Sequence, residues 1–60
     1  MKLEELDDKA IDFIIDGMNT DFLNGWEKYF FTSVSEQWQR ARRLSDKQKE
    51  ILGRIWDKQP

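Results

Sequence analysis

Sixty residues with 37% charged side chains make one small domain, 1–60, and the lack of cysteine and histidine excludes disulfides, soft-ligand metal sites and the commonest nucleophile and base pairings of catalysis. Charge is sorted along the chain. Residues 1–27 hold eight carboxylates against two lysines, a net −6, and residues 28–60 hold eight cations against four carboxylates, a net +4, an asymmetry that points to charged recognition, either between the halves or with a partner.

The first helix is expected from about Lys2 to Asp16, because Leu3, Leu6, Ala10, Phe13 and Ile14 recur at three- and four-residue steps. Gly17 is expected to end it in the left-handed conformation, with Met18 folded against Phe13. The second helix is expected to start between residues 20 and 25. Asn19, Thr20 and Asp21 are each able to cap it, and Asn24 with Glu27 reads as a capping pair. Its apolar stripe of Trp26, Phe30, Val34, Trp38 and Ala41 carries it to about Arg42. Ser45 as N-cap, Gln48 reaching back from three residues on and Asp46 in the first turn then mark a third helix to about Lys58, with Ile51, Leu52, Ile55 and Trp56 as its apolar face. The fold class is therefore all-α, a compact three-helix bundle or a hairpin with a third helix laid across it. No apolar run approaches the roughly 18 residues of a membrane span, and the acidic start does not suit a secretory or mitochondrial signal, so a cytoplasmic protein with no membrane partner is expected.

Three surfaces invite a functional reading. Glu5, Asp8, Asp12 and Asp16 form an acidic row on the first helix, a spacing that costs an isolated helix about 0.2–0.5 kcal/mol per like-charged pair and suits a basic partner, the basic half of the chain or plain solvent. A metal site is not expected there, since carboxylates along a straight helix diverge. Phe31 and Trp38, one helical turn before Arg42, are either core rings or an outward apolar anchor of the kind enriched at binding hot spots. Ile11, Ile15 and Met18 likewise either fill the core or form a contact ridge. Arg40, Arg42, Arg43 and Lys47, with Lys49 nearby, surround the joint before the third helix, where cations and a helix N-terminus suit phosphate. Against that stands a sequence pI near 5.0, whereas nucleic-acid domains are usually basic.

Residues Trp26, Phe30, Ser33, Gln37, Leu44, Ser45, Lys47, Gln48, Leu52 and Ile55, and the run Leu-Ser-x-Lys-Gln-x-x-Ile-Leu in particular, resemble a short helical segment that recurs in bacteriophage and mobile-element proteins, some of them concerned with DNA replication or processing. The resemblance covers residues 26–58 and implies a phage setting, hence a host-cell cytoplasm, and an accessory binding role; it brings no catalytic residues and no cofactor. The expected function is a small non-enzymatic protein-binding factor, such as a phage-encoded inhibitor of a host defence or nucleic-acid machine, whose acidic row meets a basic nucleic-acid-binding protein while Phe31 and Trp38 anchor it. The alternative is a nucleic-acid-binding accessory protein that uses Arg40, Arg42, Arg43 and Lys47, and a homodimer closed by the first helix is also open.

Overall fold

Asp7 sets the start of the first long helix. In the computed structural model, which describes residues 3–60, its carboxylate oxygen Oδ1 accepts the backbone N–H of Ala10 at 2.9 Å, and α1 runs from Asp8–Gly17. A helix continuous from Lys2 is therefore corrected. Lys2 itself lies outside the described residues, and Leu3–Glu5 is a separate 3-10 turn whose chain extends before the cap. The break is physical: an aspartate whose oxygen takes a backbone donor ahead of it holds extended dihedrals, so the helix starts after it and not through it.

Gly17 ends α1 without the left-handed conformation expected of it, since no glycine has positive φ and the chain leaves through an extended Met18. Nor does a close approach require glycine there. A methyl group on Gly17 would sit 3.4 Å from the Trp56 ring carbon Cη2 and 3.8 Å from Cζ3, ordinary van der Waals contact. Gly17→Ala is thus expected to stabilise the fold by about 0.4–1 kcal/mol through reduced freedom of the unfolded chain, read as a higher Tm in a calorimetric or circular-dichroism melt.

A short 3-10 turn, Thr20–Phe22, is capped by Asn19 and bridges to α2, Gly25–Ala41. The second helix starts at the late end of the expected interval because Asn24 and Glu27 complete a reciprocal box: Glu27 N–H donates to Asn24 Oδ1 at 2.8 Å and Asn24 N–H donates to Glu27 Oε1 at 3.0 Å. It ends at Arg42, the one non-glycine residue with positive φ, 53°, among the described residues. Helix α3, Asp46–Asp57, opens on the second box, Ser45 with Gln48. There Gln48 has a further task. Its side-chain amide pairs reciprocally with that of Gln37 on α2, at 3.1 and 3.2 Å, while Gln37 also donates to the carbonyl of Arg43, so the α2–α3 joint is held by hydrogen bonds on both sides.

All three helices converge on one core. Leu6, Ile11, Ile14, Val34, Trp38, Leu44 and Leu52 are buried together, with Ala10, Ile15, Met18, Phe30, Phe31 and Trp56 packed against them. Of the two readings of the first helix's apolar arc, core filling holds and the contact ridge does not: Ile11 is wholly enclosed, and Ile15 and Met18 lie partly buried against the core. The resulting all-α three-helix fold has a radius of gyration of 10.4 Å, close to the value of about 10 Å that a compact chain of this length should have. Among the described residues, no helix is long and apolar enough to cross a membrane.

Candidate functional surfaces

Asp12, Trp38 and Arg42 belong to three different surfaces in the sequence reading, and folding brings them to one point. The guanidinium of Arg42 donates to both carboxylate oxygens of Asp12, at 2.8 and 2.9 Å, the indole N–H of Trp38 donates to Asp12 Oδ1 at 2.8 Å, and the guanidinium carbon lies 4.5 Å from the centre of the Trp38 ring. One carboxylate thus accepts three donors while one cation is both paired and stacked. The left-handed backbone at Arg42, where a side chain is ordinarily disfavoured, is what turns this arginine back over the tryptophan it follows by one helical turn. The clasp ties the middle of α1 to the end of α2.

Hydrogen bonds from Arg42, then from Trp38, hold the Asp12 carboxyl below its ordinary 3.8, against a smaller opposing effect of desolvation. The Arg42 guanidinium is pushed up, chiefly by its hydrogen bond to Asp12. A carboxyl with a lower pKa in the folded chain contributes stability that is present in full above 3.8 and is lost as pH falls below it through the folded value. Both side chains are about half exposed, 45% for Asp12 and 54% for Arg42, so water screens the ionic part of the pair. Asp12→Asn, which keeps an oxygen for the indole N–H, is therefore expected to lower stability at neutral pH less than Asp12→Ala and to flatten the acid limb of a Tm-against-pH curve below 3.8.

These placements revise the expected sites. Asp12 is engaged internally, which leaves Asp8 and Asp16 as exposed aspartates of the acidic row on α1, and Glu5 lies on the preceding 3-10 turn rather than on that helix. Trp38 is 2% exposed and is a core ring, so it does not serve as an outward anchor; Phe31 is partly buried against the same core. Of the cations at the joint, Arg42 is committed to Asp12, whereas Arg40, Arg43 and Lys47 remain exposed. The first turn of α3 already has the Gln48 N–H capped by Ser45. Among the described residues no three carboxylates gather as a metal-ion cage would require.

The rings that do reach solvent lie elsewhere. Phe13 is 67% exposed, Phe22 60%, Trp26 60% and Tyr29 78%. Phe13 is steadied by an edge-to-face contact with Trp56 at 5.7 Å, and Trp26 is stacked on Phe30 at 5.5 Å with the planes 8° apart. Phe22, Trp26 and Tyr29 follow one another within eight residues, across the joint and the first turns of α2. Sequence periodicity placed Trp26 on the buried stripe and passed over the other two. A signal was present in Tyr29, which lies about 100° round the helix from Phe30 and so off the stripe.

Beside Trp26 the surface dips into a groove of about 330 Å³ between α2 and α3. Ile51, Ile55 and Trp26 give it apolar walls, Glu27 lies at its α2 side, and Lys47, Arg54 and Lys58 border it along α3. Arg54 is paired with Glu50 at 2.8 Å, and Lys58 lies 3.8 Å from the second oxygen of Glu27. No family model matches the chain, and neither a curated protein nor a solved structure is significantly similar to it.

Proposed function

We propose that this chain is a small non-enzymatic protein-binding factor whose contact surface is the run of solvent-facing aromatic rings at the start of α2. One observation carries the proposal: Phe22, Trp26 and Tyr29 are each at least 60% exposed in a domain whose core closes without them. Aromatic side chains bury about 150–250 Å² each when covered and dominate interface energetics. A marginal 60-residue fold gains little by leaving three of them in water within eight residues, whereas a partner that covers them gains anchors of the type most often found at hot spots. Asp8 and Asp16 supply an acidic flank that favours a partner with a basic surface. The finer reading, a phage-encoded inhibitor of a host defence or nucleic-acid machine, rests on the resemblance of residues 26–58 and on this acidic flank.

A photo-crosslinking amino acid placed at Phe22 or Tyr29, and at Gln39 near the far end of α2 as control, tests the proposal in extract of the source cells. A discrete crosslinked protein from the two aromatic positions and not from Gln39 is the expected result. Crosslinks to nucleic acid alone, or the same faint pattern from all three positions, would overturn it.

A further inference from the structure

We infer that the groove between α2 and α3 is a docking site for an acidic peptide segment that carries an apolar side chain between carboxylates. The inference rests on the protein-binding reading and assigns the partner an acidic segment for this groove, apart from the basic surface that suits Asp8 and Asp16 on α1. The walls decide the apolar part. Ile51 and Ile55 lie one helical turn apart on α3, and Trp26, whose ring is stacked on Phe30 yet 60% exposed, faces the same space. A volume of about 330 Å³ accommodates one large side chain and the backbone on either side of it, at the lower end of the range of about 300–1,000 Å³ usual for ligand clefts.

The border decides the charge. Lys47, Arg54 and Lys58 lie on the groove side of α3, while the carboxylate in its wall, Glu27, is already committed, with one oxygen on the Asn24 N–H and the other facing Lys58. Lys47 has no carboxylate within ion-pair distance among the described residues, and the Arg54 pair with Glu50 runs along the surface of the same helix through one nitrogen, which leaves further guanidinium donors. A carboxylate-bearing ligand therefore meets positive groups at both ends of an oily slot. Lys47 and Arg54 are seven residues apart, about 10.5 Å along a helix, which an extended peptide covers in about three residues at roughly 3.3 Å each. Glutamates one and two positions to either side of an apolar residue bracket that spacing. Nucleic acid fits less well, because a phosphate backbone carries a charge at every step and has no apolar group between charges to meet the walls of Trp26, Ile51 and Ile55.

The test is a titration of the 15N-labelled full chain with a ten-residue peptide that holds one phenylalanine flanked on each side by two glutamates in a serine and glycine background. Selective shifts of the Trp26 indole and of the Ile51 and Arg54 amides are expected, with affinity reduced about tenfold or more by the double variant Lys47→Glu, Arg54→Glu and less by Lys47→Gln, Arg54→Gln. Both pairs are exposed, and a melt that matches the parent chain confirms that each variant folds. Equal binding of the phenylalanine-free peptide, of an arginine-for-glutamate peptide or of a ten-nucleotide oligothymidylate overturns the inference, as does shift-free titration. Concentration-dependent shifts without peptide, abolished by the same charge reversal, would give the groove to a second copy and overturn it too. If the peptide fails while crosslinking from Tyr29 still captures a protein, only the groove assignment falls; if crosslinking also fails, the protein-binding reading falls with it.

Discussion

Leu52→Ala is expected to leave much of the protein unfolded at room temperature. Leu52 has no exposed surface and sits in the cluster that joins all three helices. Truncating such a leucine costs about 2–5 kcal/mol, the lost transfer free energy plus the void that remains. At about 0.05–0.15 kcal/mol per residue, a chain of this length has roughly 3–9 kcal/mol in all, and no disulfide supplements it. Circular dichroism and urea titration of the variant are expected to show a midpoint displaced far toward zero denaturant or no cooperative transition. A shift within that of an ordinary surface substitution would mean that α3 is not packed into this core.

Trp38→Ala is the second large effect, and it separates a core role from a contact role. The side chain is nearly enclosed, so its removal is expected to cost about 3–5 kcal/mol from packing, and it also takes from Asp12 a hydrogen-bond donor and from Arg42 the ring on which it lies. Trp38→Phe is the informative companion. It keeps most of the apolar bulk and deletes the N–H, so its cost should fall well below that of the alanine variant, and the acid limb of the stability curve below 3.8 should become shallower because one of the hydrogen bonds that lower the Asp12 pKa is gone. An outward anchor would behave differently, with partner binding lost and the melt unchanged. Arg42→Gly offers a further check, since it relieves the left-handed backbone and removes the clasp at once.

What was legible in the sequence was local. Both capping boxes depend on residues three apart, and their side chains compete for the backbone groups nearest to them, so Ser45 with Gln48 and Asn24 with Glu27 appear where the spacing placed them. The apolar face of α3 was likewise readable from Ile51, Leu52, Ile55 and Trp56, because a helix has one period. Asp7 shows how a local signal was hidden: Leu3, Leu6 and Ala10 continue the helical spacing through it, and periodicity does not register a cap that breaks the backbone between two apolar residues. Gly17 lies beside the ring of Trp56, a residue 39 positions away, and no rule of helix ends contains that neighbour.

The candidate surfaces were less legible than the fold, for the same reason. Asp12 and Arg42 are thirty residues apart, and their pairing depends on how α1 crosses the end of α2. A row of aspartates at four-residue spacing says that the side chains share a face, and nothing about which of them meets an arginine. Trp38 and Trp26 occupy the same stripe twelve residues apart, yet one is core and the other borders a groove, because α1 reaches the later turns of α2 at Trp38 and leaves Trp26 at its start uncovered. Several residues of the phage-like pattern have structural tasks of their own: Leu44 and Leu52 are core, Ser45 and Gln48 cap α3, and Gln37 closes the joint. Trp26 and Lys47 are exposed at the groove instead.

The most direct measurement pairs stability with capture in one double variant, Phe22→Ser and Tyr29→Ser, which removes two solvent-facing rings and leaves the buried cluster intact. Surface changes of this kind move stability by no more than about 0.5 kcal/mol, so the expected result is a melt almost superimposable on that of the parent chain together with loss of the protein crosslinked from a probe at Trp26. A melt that collapses as that of Leu52→Ala should, or capture that persists undiminished, would contradict the account.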